Sequence, residues 1–104
     1  MRAADPPTAI FAANDIMAAA VLKVAAARGI AVPDILSVVG FDDGILAQML
    51  TPALTTVLRR FDEMARQATR QLLDRLGGLP IAQVDRAELV LIAGESAATV
   101  PNQA

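Results

Sequence analysis

The apolar positions of this chain come in short blocks and long stripes, separated by turn residues. Thr8 to Ala13 is a short apolar run holding Ile10 and Phe11, and turn-forming residues flank it. That pattern predicts a strand buried on both faces. Asn14 and Asp15 follow, and both side-chain types favour the first position of a helix. Ile16 to Arg28 is then rich in helix formers and free of breakers, with Lys23 and Arg28 as its charges. A helix this apolar predicts cover on more than one side. Gly29 sits where such a helix turns off.

Ile30 to Asp34 contains Pro33 and reads as a turn. Leu36 to Phe41 predicts a second buried strand. Asp43 to Leu50 predicts a short helix, stopped by Thr51 and Pro52. Leu54 to Leu58, with paired threonines, predicts a third strand or an extended crossover. Phe61 to Leu76 is the clearest helix. Phe61, Met64, Ala65, Ala68, Leu72 and Leu76 share one stripe, and most charges lie away from it. Gly77 and Gly78 end it. Ala87 to Ile92 predicts a last strand, and residues 97–104 a loose tail. Strand, helix and strand within about 35 residues predict a βαβ unit, so the fold class is α/β with a parallel sheet.

Composition sharpens this picture. Hydrophobic residues make up 55% of 104 residues, and mean hydropathy is +0.48. A short chain hides a small share of its surface, so this excess implies apolar faces meant for a partner. A membrane is the wrong partner. The uncharged run Ile16 to Leu22 falls far short of the roughly 18 residues that a span needs. The N-terminus has no apolar signal core. Net charge is −2 and the basic residues are scattered, so no basic stripe awaits a phosphate backbone. With no cysteine or histidine, thiolate and imidazole chemistry are excluded. No metal site and no cofactor is expected, and a cytoplasmic location fits.

The candidate chemistry lies where strands end. In open α/β sheets, ligands bind outside the carboxyl ends of the strands. Asn14 and Asp15 stand at one such end, and Asp42 and Asp43 at the next. An amide offers donors and an acceptor, and a carboxylate accepts from two hydroxyls at once. Together they suit a polyol or sugar. The same residues have a local explanation: Asn14 or Asp15 caps the first long helix, Asp43 the short one, and Asp42 reads as either a ligand group or a cap. Gly40 marks either close backbone approach or a strand that tolerates a small residue. Phosphate-loop, dinucleotide and nucleophile-elbow motifs are absent from the sequence. A binding module is expected, not an enzyme.

The stretches PTAIFAANDIMAAAVLKVAAARGIAVP, DILSVVGFDD, LTPALTTV, FDEMARQATRQLLDRL, ELVL and Glu95-Ser96 occur in that order along the chain. In this series the sequence resembles the LacI/GalR family of bacterial transcription regulators, in the C-terminal part of their effector-binding core. The resemblance implies a three-layer parallel-sheet fragment of a periplasmic-binding-protein-like (type I) fold, with an effector between two lobes. It places residues 1–57 in the C-terminal lobe and the helix of residues 58–86 in the N-terminal lobe. Residues 87–104 would form the returning strand and tail. It implies effector contacts for Asn14 and Asp42, and mainly structural roles for Asp15 and Asp43. Arg59 is a further candidate, although Leu58-Arg59-Arg60 departs from the family's pattern there, as Ala93-Gly94 does before Glu95. DNA contact would belong to a helix-turn-helix outside these residues, and a homo-oligomer is expected. The first functional reading is a fragment of a sugar-sensing regulator. The alternative is a self-associating half-domain, or a substrate-binding-protein-like module with no regulatory activity of its own.

Overall fold

A computed structural model describes residues 4–42, 44–80 and 88–101. The elements run β1 (Ala9–Phe11), α1 (Asp15–Ala27), β2 (Ser37–Val39), α2 (Ile45–Met49), β3 (Thr56–Arg59), α3 (Phe61–Leu76) and β4 (Leu89–Ile92). The chain forms two compact units, residues 1–58 with 91–104, and residues 59–90. The division falls inside β3 and inside β4.

In the first unit β1 and β2 are parallel neighbours, with Ala9 opposite Ser37 and Phe11 opposite Val39. The segment entering β3 extends this order through parallel bridges from Val39 to Thr55 and from Asp42 to Leu58. A strand followed by a helix and a parallel strand is the predicted βαβ unit. Its core is built from small and branched residues: Ala12, Ala18, Leu22, Leu36, Val38, Ala47 and Leu54. Ala18 and Val38 are fully buried. Alanines in α1 let the helix axis come close to the sheet, so little volume is needed to fill the space between them.

Both long helices end as their glycines suggest. In α1 the Gly29 N–H donates to Ala26 O (3.2 Å) and the Ile30 N–H to Ala25 O (2.9 Å), with Gly29 at φ +69°. This is the paired closure that satisfies the last carbonyls of a helix. In α3 the Gly78 N–H donates to Arg75 O and the Leu79 N–H to Asp74 O, with Gly78 at φ +75°.

Several burial expectations are corrected. The sequence predicts β1 buried on both faces, but Ala9 is exposed and Phe11 is 69% exposed. Ile10 and Ala12 turn toward the core, and the alternate residues leave it, because side chains on a strand alternate. In α1 a single stripe is buried, Asp15, Ala18, Leu22 and Ala25, while Ile16, Met17 and Val24 are exposed. In α3, described within the second unit, no residue is buried, although its predicted stripe is present. The return of the chain is pinned at Ser96, just before the predicted tail, and at Ala98 within it. Ser96 is fully buried; its Oγ donates to Val38 O (2.5 Å) and accepts from the Thr55 N–H (2.8 Å). Ser37 Oγ accepts from the Ala98 N–H (3.0 Å) and donates to Ala98 O (3.2 Å). Hydroxyls pin this segment, which hydropathy does not reveal.

Gly94 belongs to the same return. Its N–H donates to Thr55 Oγ1 (2.9 Å), and the Glu95 N–H donates to Ala53 O (2.7 Å). A Cβ at position 94 would lie 2.5 Å from Ala53 O and 2.8 Å from Leu54 O. The glycine therefore fits a close backbone approach at this point.

Candidate functional site

The carboxyl ends of β1 and β2 lie side by side. The Ala12 N–H donates to Val39 O (2.8 Å), and the Asp15 N–H to Phe41 O (3.1 Å). These two bonds carry the parallel pairing past the strand ends. They bring Asn14 and Asp42 to one edge of the sheet, and both are half-buried there. The Phe11 and Phe41 rings, from β1 and from the residue two past the end of β2, stack with centroids 6.4 Å apart and planes inclined by 30°.

Asn14 is the N-cap of α1. Its backbone is extended (φ −154°, ψ 174°), and Oδ1 accepts from the Met17 N–H at 2.8 Å. Capping and ligand contact therefore do not compete for the same atom: the cap uses Oδ1, and the amide nitrogen is what Asn14 can offer a ligand. Asp42 has φ +106°, a region that residues with a Cβ rarely occupy. Its N–H donates to Val57 O at 2.8 Å. The backbone is thus held in a costly conformation at the point where the sequence places a candidate carboxylate.

Asp15 has a different place. It is the first residue of α1 and 5% exposed. Oδ1 accepts from Thr56 Oγ1 (2.6 Å), and Oδ2 from the Gly44 N–H (2.9 Å). A buried carboxylate is tolerable only with such donors. Gly44, not Asp43, is the N-cap of α2. Gly40 completes the arrangement, since a Cβ there would collide with the Asp15 carboxylate and the Leu54 side chain. Of the two readings of Gly40, close approach is the one the structure shows.

Arg59 is the last residue of β3 and belongs to the second unit. Its guanidinium lies 4.3 Å from the Phe61 ring centroid, within cation–π distance. Asp43 lies outside the described residues. Thr56 was not a candidate from sequence. Paired threonines signal a strand, and nothing in their spacing tells which hydroxyl faces a buried acid. Each unit carries an open groove. One of about 390 Å³ runs beside α1 and includes Ile10, Val21, Val24 and Leu36. One of about 450 Å³ runs along α3 between Arg66 and Asp74. Neither of these two grooves includes Asn14 or Asp42. Among the described residues no cluster of acidic side chains could hold a metal ion.

Residues 1–97 match the family described as periplasmic binding protein-like domain. The chain belongs to that family. Among curated relatives, the HTH-type transcriptional regulator DegA of Bacillus subtilis is 53% identical over 64 residues, covering 62% of this chain and 19% of DegA. Among solved structures, a LacI family transcriptional regulator from Bifidobacterium animalis superposes with a TM-score of 0.89 at 31% identity, covering 94% of this chain and 36% of that one. A LacI family regulator from Lactobacillus casei, solved with bound glucose, gives 0.74 at 36% identity, covering 88% and 32%. The periplasmic binding protein-like chain thus matches the effector-binding region of LacI-type regulators. It spans 19% to 24% of the length of the curated relatives it matches. No helix among the described residues is long and apolar enough to cross a membrane.

Proposed function

We propose that these residues form the C-terminal part of the effector-binding core of a LacI-type transcriptional regulator, and that the effector is a sugar or related polyol. The observation that carries this reading is the shared edge of Asn14 and Asp42, in a chain that superposes on a regulator solved with glucose. The Asn14 amide would donate to one hydroxyl, and the Asp42 carboxylate would accept from one or two neighbours. Residues 1–57 would serve the C-terminal lobe, residues 58–86 would cross to the other lobe, and residues 87–104 would return. Asp43 and Arg59 remain secondary candidates for the same cleft. The role is binding and not catalysis. DNA contact would come from a helix-turn-helix elsewhere in the regulator, and the working location would be the cytoplasm.

One wall of a cleft binds weakly, because much of a small ligand's surface stays in water. Titration of the 15N-labelled chain with glucose, sucrose and cellobiose tests the proposal. Shifts at Asn14 and Asp42 with a Kd on the order of millimolar are expected, and Asp42→Asn should abolish them. Submicromolar binding by the chain alone would contradict the one-wall reading. Silence at both residues under saturating saccharide would contradict the site.

The exposed apolar residues favour a second reading, self-association. Ile16, Ile45, Met49, Leu72 and Leu76 are each more than half exposed. Sedimentation velocity should then show a dimer or larger species. A folded monomer at micromolar concentration would reject it.

A further inference from the structure

We infer that Asp15 is a positioning residue of the ligand edge, holding Asn14 and Asp42 in fixed relation through Thr56 and Gly44. This inference rests on the ligand-binding reading above. A direct ligand role does not suit Asp15, because its carboxylate is buried and both oxygens are already used. What it does is join three separate segments. Its backbone N–H meets Phe41 O, its Oδ2 meets the Gly44 N–H, and its Oδ1 meets the Thr56 hydroxyl of β3. The two candidate residues sit inside these ties. Asn14 directly precedes Asp15, and Asp42 lies between Phe41 and Gly44.

The surroundings keep room for this carboxylate. Gly40 leaves the space into which it projects. Charge placement agrees as well, since Asp15 stands in the first turn of α1, where the helix field favours a negative group. The backbone of Asp42 supplies the need for such a device. A residue with φ +106° relaxes unless its neighbours over-determine it. Bonds to Asp15 on either side of Asp42, at Phe41 and Gly44, constrain the segment at both ends. Oriented groups bind better than mobile ones, because ordering them is not charged to the binding step.

Thr56 allows the idea to be tested without removing the acid. Thr56→Val keeps the shape and deletes the hydroxyl, and Thr56→Ser restores it. The full 104-residue chain is 15N-labelled in all three forms. In Thr56→Val the Asn14 side-chain amide and the Asp42 backbone amide should shift. Exchange of the Gly44 amide should rise about tenfold or more while the Val38 amide keeps its protection. Glucose affinity should fall about fivefold, with Thr56→Ser returning every value toward wild type. Unmoved Asn14 and Asp42 signals in Thr56→Val would overturn the inference. So would wild-type glucose affinity in that variant. Loss of Val38 protection along with the edge would also overturn it, by making Asp15 a general support of the fold. If the wild-type chain shows no saccharide-induced shift, the sugar reading fails by itself, and the edge shifts in Thr56→Val then decide whether Asp15 positions these residues.

Discussion

The two units of this chain are stabilised in different ways. Residues 1–58 with 91–104 bury a compact set of alanine, valine and leucine side chains, and tie distant segments together through Asp15, Ser37, Thr55, Thr56 and Ser96. Residues 59–90 contain a sixteen-residue helix with no buried side chain. That helix is nevertheless well specified locally. Asp62 and Glu63 lie in its first turn, Arg75 in its last, and Gly77 and Gly78 close it. Gln67 Nε2 donates to Glu63 Oε1 at 3.3 Å, one turn away. Local chemistry can therefore write a helix that packing does not yet secure. An isolated helix of this length is marginal in water, so the second unit should respond to backbone changes more than to side-chain truncation.

The largest contrast should come from matched leucines. Leu54 is 2% exposed and touches the core of the first unit. Leu54→Ala should cost about 3 kcal/mol, through lost transfer energy and the cavity left behind. Urea denaturation followed by circular dichroism measures it, and a loss below about 1 kcal/mol would mean that this core is loosely packed. Ser96→Ala comes next, at about 2 kcal/mol, because the buried Thr55 N–H loses its acceptor. Replacement without measurable cost would show that water or a shifted backbone satisfies that donor.

In the second unit the order should reverse. Gly78 holds φ +75°, and a Cβ there would meet nothing within 4 Å. Gly78→Ala should therefore cost about 1 kcal/mol from backbone strain alone, seen as faster amide exchange at the end of α3. Leu72, on the predicted stripe but 59% exposed, should be nearly silent. Leu72→Ala should change stability by less than about 0.5 kcal/mol. A larger loss would show that the stripe is covered in solution, which would support self-association.

Much of the fold was legible because its signals are short-range. The α3 boundaries, Phe61 and Leu76, follow from propensity and the double glycine. The closure at Gly29 and the cap at Asn14 follow from residue type. The adjacency of Asn14 and Asp42 was legible only through topology: two parallel strands in a βαβ unit must end on the same side. The roles of Thr56 and Ser96 were not legible. Each bonds a partner about forty residues away or more, and no local pattern records such a pair. Burial was misjudged in β1 and α1 for a related reason. Apolar composition states what a face could bury, not what lies against it.

The sequence by itself determined where helices start and stop, and which residue types stand at the strand ends, because caps, glycines and periodicity act over a few bonds. Only the tertiary structure decided that Asp15 turns inward, that Asp42 takes a strained backbone, and that a buried serine anchors the return of the chain. Those outcomes depend on groups brought together from distant parts of the chain, where desolvation makes each missing hydrogen bond costly.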